Sequence, residues 1–294
     1  MDYNDFLKTK QRKVIKAGFK VTGEELNSNL FDFQKYIVTK ALEAGRYAIF
    51  ADCGLGKTIS QLEWAHQVVK HTEKPVLILC PLAVSGQTIQ EGEKFGIEVR
   101  RLKAESSTPQ TATDIEAGIY ITNYEQLEKI DVTPFAGVVL DESSILKNFT
   151  GKYKRLIIEK FKQTPYKLCC TATPSPNDLN EIGNHSEFLN VLDAQDMRAK
   201  WFVRDEGMNN YRLKGHAKSD FYGWVSSWAT MLTKPSDIGF SAEGYDLPAL
   251  NYIEQQIQTQ LKENGKLFND TSVSATEFNK ELRVTLLPRM EAVA

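Results

Sequence analysis

The sequence predicts an α/β protein with a parallel central sheet covered by helices on both faces. Five short runs carry that prediction: Tyr47–Phe50, Val76–Cys80, Ile119–Thr122, Val138–Leu140 and Lys167–Cys170. Each is β-branched or aliphatic and nearly continuous, the pattern of a strand shielded on both faces. Between them lie helical patterns. Lys57–Lys70 sets Ile59, Leu62, Ala65, Val68 and Val69 on one side, and Ser85–Phe95 and Lys152–Phe161 are further candidates. Strands that alternate with helices need crossover connections, and crossovers make the sheet parallel.

The pattern changes after about Asn184. Residues 185–232 read as helical and aromatic, with Phe188, Trp201, Phe202, Phe221, Trp224, Trp228 and Met231. Trp224 and Trp228 are four apart and share a helix face. The expectation is a small helical core packed on the main domain, favoured over a base-stacking platform. Residues 246–260 start extended after Pro248, and 275–294 read as a helical C-terminal extension. The expected organisation is therefore a basic segment over 1–25, a main domain over 26–245 with a helical protrusion near 185–232, and a linker over 246–294.

Composition narrows the function classes. The chain has 294 residues, 36 basic against 38 acidic, and a net charge of −2. A protein that coats nucleic acid over its whole surface is usually basic, so nucleic-acid binding here must be confined to a groove or shared with another domain. Lys8, Lys10, Arg12, Lys13, Lys16 and Lys20 cluster near the N-terminus. A solvated helix face is the favoured reading, over phosphate contact. Cys53, Cys80, Cys169 and Cys170 form no C-x-x-C pair, and no histidine stands at zinc-ligand spacing. Reduced core thiols suit a cytoplasmic protein. No apolar run is long enough for a membrane span and no secretory leader is present, so no membrane partner is expected.

Residues 51–58 read A-D-C-G-L-G-K-T, between a strand and a helix. A loop that wraps a triphosphate must bring backbone N–H groups close to its oxygens. Gly54 and Gly56 permit that approach, with Cys53 and Leu55 between and beside them. Lys57 supplies positive charge to the outer phosphates, Thr58 offers its hydroxyl to Mg2+, and the helix that follows aims its dipole at the anion. Ala51 stands where the G-x-x-x-x-G-K-[ST] pattern has its first glycine, and is small enough to fill it. Residues 138–142 read V-V-L-D-E. Asp141, at the end of a buried strand, is expected to hold Mg2+, and Glu142 to polarise an attacking water. The fold class is thus sharpened to a P-loop NTPase binding ATP and Mg2+.

Five segments complete a scheme: L-F-D-F-Q at 30–34, where Gln34 can read an adenine edge; L-I-L-C-P-L-A at 77–83; I-Y-I-T-N-Y-E-Q-L at 119–127; L-D-E-S-S-I-L-K-N at 140–148; and C-C-T-A-T-P-S-P-N-D at 169–178. Their order resembles the superfamily-two helicases, closest to the Swi/Snf-like branch and to compact bacteriophage versions of it. The resemblance covers the chain from about residue 26 onward. It implies a RecA-like three-layer sandwich, adenine recognition by Gln34, and hydrolysis by Lys57, Thr58, Asp141 and Glu142. It implies that Thr171 and Thr173 couple nucleotide state to nucleic-acid grip, and that Pro81, Thr122, Asn123 and Tyr124 line the nucleic-acid track. The expected partner is double-stranded DNA, gripped through its backbone.

Two departures stand out. Positions three and four of the D-E-x-x segment are Ser143 and Ser144. The Q-x-x-G-R-x-x-R segment of a second RecA-like lobe is absent from this sequence, so the expectation is either a fragment of a longer parent or a second lobe supplied from elsewhere, and the chain alone is expected to bind ATP weakly and turn over very slowly. The alternatives are a non-catalytic nucleotide- or DNA-binding module, and an unrelated P-loop kinase, which the T-A-T-P segment disfavours.

Overall fold

The five apolar runs form the middle of one seven-stranded sheet. The structure, a computed structural model, describes residues 17–102, 115–148, 151–205, 210–245, 254, 279, 282–283 and 285–293. The strands are β1 (Arg46–Ala51), β2 (Val76–Cys80), β3 (Val99–Arg101), β4 (Ile119–Asn123), β5 (Gly137–Asp141), β6 (Tyr166–Thr171) and, after a separate hairpin of β7 (Phe202–Asp205) with β8 (Asn210–Leu213), β9 (Ala229–Leu232). Their order across the sheet is β3-β4-β2-β5-β6-β1-β9. Every pairing in that sheet is parallel.

Side chains alternate across the pleat and so divide the core in two. Ile49, Ile78, Ile121, Val139, Leu168 and Cys170 face one layer. That layer is covered by α1 (Asp32–Ala44) and α2 (Lys57–Thr72), with α3 (Ser85–Lys94) beside them. Ala48, Phe50, Leu77, Leu79, Val138, Leu140 and Cys169 face the other. There α4 (Lys152–Lys160), α5 (Ile182–Phe188), α6 (Ala194–Trp201) and α7 (Lys218–Ser226) supply Ile157, Phe188, Trp201 and Phe221. The result is the three-layer sandwich expected from the alternation of elements.

Residues 185–232 are not a helical protrusion. They hold helices, but also the β7–β8 hairpin and β9, which pairs with β1 from Ala48↔Ala229 to Ala51↔Leu232. Trp201 stacks on Trp224 at 4.6 Å, Trp224 meets Trp228 at 5.2 Å, and Phe50 of β1 meets Trp228 at 6.2 Å. The aromatic segment is thus the second covering layer of the main sheet. The expected break at residue 25 is also displaced. Phe19 donates its N–H to Leu42 O at 3.0 Å and stacks on His71 at 3.9 Å, so the first layer already includes this part of the chain. Of the basic cluster, Lys20 lies within the described residues and is exposed, while Lys8 to Lys16 lie outside them.

Contacts divide the chain after Tyr245. In the second unit, α8 (Leu286–Val293) is described, with the Arg289 guanidinium donating to Leu282 O at 2.6 Å. The expected extended start after Pro248 lies outside the described residues. No helix among the described residues is long and apolar enough to cross a membrane. All four cysteines are free thiols, with Cys80, Cys169 and Cys170 buried and Cys53 exposed.

Two buried ionisable groups lock the second layer. Lys167 of β6 donates to Phe188 O at 2.8 Å and Asn190 Oδ1 at 3.0 Å, holding the C-terminal end of α5, and burial pushes its pKa down to about 7. His185 of α5 lies edge-on to Phe50 at 5.1 Å, and burial pushes its pKa down to about 4. The unfolded imidazole takes up a proton near its ordinary value of 6.5, whereas the folded one resists until about 4. Stability contributed by neutral His185 is therefore complete above that ordinary value and lost as pH falls toward the folded value, at up to about 1.4 kcal/mol per pH unit. A His185→Phe variant should show a flatter fall of its melting temperature across this window than the wild type. Parallel curves contradict the neutral buried imidazole.

Candidate active site

Because every strand of the sheet runs the same way, all of their carboxyl ends lie on one edge. In register, Asp141 of β5 pairs with Cys170 of β6, and Cys170 pairs with Ile49 of β1. The acidic strand end therefore stands one strand away from the end of β1, with β6 between them. The loop from Asp52 to Gly56 leaves β1 on that edge and α2 begins at Lys57. Ligands of open α/β sheets bind at this edge.

The loop is built around two glycines with positive φ, Gly54 at 82° and Gly56 at 70°. A Cβ at Gly56 would stand 2.2 Å from Gln34 Nε2, whereas one at Gly54 would meet nothing within 4 Å. Gly56 is required for space and conformation, Gly54 for conformation alone. Ala51 and Leu55 are buried and anchor the loop, while Cys53 is exposed and its N–H is held by Asp52 Oδ1 at 2.7 Å. Lys57 folds its ammonium back on the loop, donating to Ala51 O at 2.9 Å and Asp52 O at 3.1 Å. Gln34 lies behind the loop and braces it. Its Oε1 accepts from Phe31 N–H at 2.9 Å and its Nε2 donates to Leu55 O at 3.1 Å. The Gln34 side chain is itself buried behind the loop.

At the acidic end, the Tyr124 hydroxyl donates to Asp141 O at 2.7 Å and fixes the strand terminus. Burial raises the Asp141 pKa, and the neighbouring Glu142 adds to the rise. The Gln61 amide and the Lys57 charge oppose it. Gln61 lies one turn beyond Thr58 on the same face of α2. The Thr58 hydroxyl and Asp141 carboxylate are hard oxygen donors. They suit Mg2+, which is held by one or two protein oxygens together with phosphate oxygens.

Glu142 has φ 57° and ψ 56°, a left-handed conformation unusual for a residue with a side chain. Its Oε1 accepts from Ser144 Oγ and from Thr171 Oγ1, both at 2.7 Å, and Thr171 Oγ1 accepts Thr173 N–H at 3.0 Å. The acid and both candidate coupling threonines thus form one hydrogen-bonded chain.

The nucleic-acid candidates divide. Pro81 and Asn123 are half-exposed, and Asn123 Oδ1 caps the following turn at Gln126 N–H. Thr122 is buried, and so is Tyr124, whose ring packs in the second core layer. Tyr124 braces the acidic strand rather than facing a nucleic-acid strand. Its phenol can bury because the strand's terminal carbonyl accepts the hydroxyl. A cavity of about 330 Å³ opens here, with Ser85, Arg101, Thr122, Asn123 and Gln126 in its wall. Ser85 and Arg101 belong to no motif the sequence singles out, and Gln126 lies within the 119–127 segment without being one of its candidate track residues.

The chain folds as a RecA-like α/β lobe with the glycine loop and the acidic strand end on one sheet edge. Residues 35–217 match the SNF2-related domain, and the chain belongs to that family. It is similar to the Sulfolobus solfataricus SWI2/SNF2 ATPase core solved in complex with dsDNA, with a TM-score of 0.58, 20% identity and 73% of this chain covered against 47% of that one. A second structure, of the Sulfolobus solfataricus SWI2/SNF2 ATPase core domain, matches with a TM-score of 0.58, 20% identity and coverage of 74% and 47%. The chain therefore spans about half the length of these proteins. No curated protein sequence matches it.

Gly56→Ala should cost about 1–2 kcal/mol from the left-handed conformation alone, plus displacement of Gln34. Gly54→Ala should cost only the conformational part. Chemical denaturation of the two variants tests this, and equal losses contradict it. Asp141 gives a second prediction. Its folded carboxyl holds a proton to higher pH than the unfolded one, whose ordinary pKa is 3.8. Its ionisation therefore lowers stability as pH rises through the carboxylate range. Asp141→Asn should be more stable than wild type at neutral pH, and the gain should vanish in acid.

Proposed function

We propose that this chain is the ATP-binding lobe of a DNA-dependent ATPase of helicase or translocase type. The supporting observation is the convergence, on one sheet edge, of the Gly54–Thr58 cradle with Asp141 and Glu142, bridged to the T-A-T-P segment through Thr171. Backbone N–H groups of the cradle and the start of α2 would take the phosphates. Lys57 would exchange two neutral carbonyl partners for charge-assisted contacts with phosphate oxygens. Mg2+, held by Thr58 and Asp141, would neutralise phosphate charge. Glu142 would orient a water whose oxygen attacks the γ-phosphorus. The bond to the β–γ bridging oxygen breaks, ADP leaves with the electron pair, and the water's proton passes to the carboxylate and on to solvent. Gln34, at the back of the cradle, would face the adenine. A second RecA-like lobe would supply opposing positive charge, worth ~10³–10⁵ in rate in related systems.

Double-stranded DNA is the proposed track, supported by the family and by the basic side chain in the edge cavity. The backbone would pass Pro81 and the cavity that holds Arg101 and Asn123, with Arg101 on a phosphate. The sequence resemblance supports a bacteriophage-type member working in a host cytoplasm. Thr171 and Thr173 would carry the nucleotide state toward this track.

The test is ATP binding and hydrolysis with and without duplex DNA. Lys57→Ala should lose ATP affinity. Glu142→Gln should keep it and lose hydrolysis by ~10²–10⁴. Binding of ATP with no turnover above the Glu142→Gln level, with or without a second lobe, favours the non-catalytic module. Arg101→Ala should weaken DNA binding on all sequences alike and reduce the salt slope by about one.

A further inference from the structure

Ser144 stands at the fourth position of the acidic segment and has no role in the reading above. We propose that Ser144 is a positioning residue that, with Thr171, clamps one oxygen of Glu142 and leaves the other to hold the attacking water. This rests on the ATPase reading of the same site.

The clamp is visible in three observations. Both hydroxyls reach the same atom, Oε1, at 2.7 Å, a charge-assisted distance. Among the described residues Oε2 receives no such hydroxyl. The donors come from different elements, Thr171 from the end of β6 and Ser144 from the turn after β5, so the carboxylate is held from two sides. Finally, Glu142 is left-handed with φ 57°, which folds the Ser143–Lys147 turn back and brings Ser144 Oγ over its own carboxylate. An exposed acid on an ordinary strand end turns freely among rotamers. Two hydroxyls on one oxygen select one rotamer and present Oε2 alone. In the reaction, the water's oxygen bonds to the γ-phosphorus as the bridging P–O bond breaks, and Oε2 receives the proton while Oε1 keeps both hydrogen bonds.

A Thr171-only anchor predicts a different outcome. Thr171 also accepts the Thr173 N–H and so ties the acid to the rest of the T-A-T-P segment, whereas Ser144 lies two residues after the acid in the chain. On this basis Ser144 sets the resting orientation and Thr171 reports the state of the other segment.

The experiment compares wild type, Ser144→Ala, Ser144→Thr and Thr171→Val. It measures fluorescent-nucleotide affinity and single-turnover hydrolysis of labelled ATP with enzyme in excess and duplex DNA present. Ser144→Ala should bind ATP like wild type and hydrolyse it about tenfold more slowly, the scale of one charge-assisted hydrogen bond. Ser144→Thr should restore the rate. Wild-type hydrolysis in Ser144→Ala, or a loss of affinity that accounts for the whole loss of rate, overturns the clamp. If Ser144→Ala does not fold, Ser144→Cys, a weak donor of similar shape, carries the same expectation. If wild type binds nucleotide without hydrolysing it, with or without a second lobe, the ATPase reading fails by itself, and urea midpoints then decide the clamp. The shift caused by Ser144→Ala should disappear in a Glu142→Ala background, and an undiminished shift there refutes it.

Discussion

The parallel register of β5, β6 and β1 is the constraint from which the site follows. Once Asp141, Cys170 and Ile49 are aligned, a loop leaving β1 and a carboxylate leaving β5 must emerge on the same edge, one strand apart. β6 fills the gap, and its terminal residue, Thr171, is placed to touch the acid that follows Asp141. No single loop creates this geometry. The hydrogen-bond ladders of three central strands do, and the two core layers hold those strands in register by burying alternate side chains on opposite faces.

The edge is polar, and three of its groups are held by hydrogen bonds. Gln34 holds the loop through Leu55, Tyr124 holds the end of β5, and two hydroxyls hold Glu142. Lys57 is the exception, since its ammonium rests on carbonyls that are weaker partners than phosphate. The structure thus combines a braced acidic side with an ammonium resting on neutral carbonyls, the preorganisation that the proposed hydrolysis would use.

Much of this was legible in the sequence, for a physical reason. Buried parallel strands are continuous apolar runs, so all five appear within a residue or two of where they were read. The glycine loop was legible because positive φ and close approach demand glycine. The elements that escaped lack such signals. β9 is an edge strand whose Met231 is 46% exposed, so A-T-M-L does not read as a buried run. β3 has only three residues. α1 differs from these, because its helical spacing is present in Phe33, Ile37, Val38, Ala41 and Leu42. Tyr124 reads as a track residue from its motif. Its burial depends on a carbonyl seventeen residues away in sequence, a tertiary contact that spacing does not encode. The Glu142–Thr171 contact, across twenty-nine residues, is invisible for the same reason.

The central claim is that one metal–triphosphate complex sits between the cradle and the acidic strand end. A crystal structure with Mg2+ and a non-hydrolysable ATP analogue tests it most directly. The account predicts Lys57 Nζ released from Ala51 O and Asp52 O onto phosphate oxygens, with Thr58 and Asp141 gathered around the metal. A nucleotide bound elsewhere, with Lys57 still on those carbonyls, would contradict it.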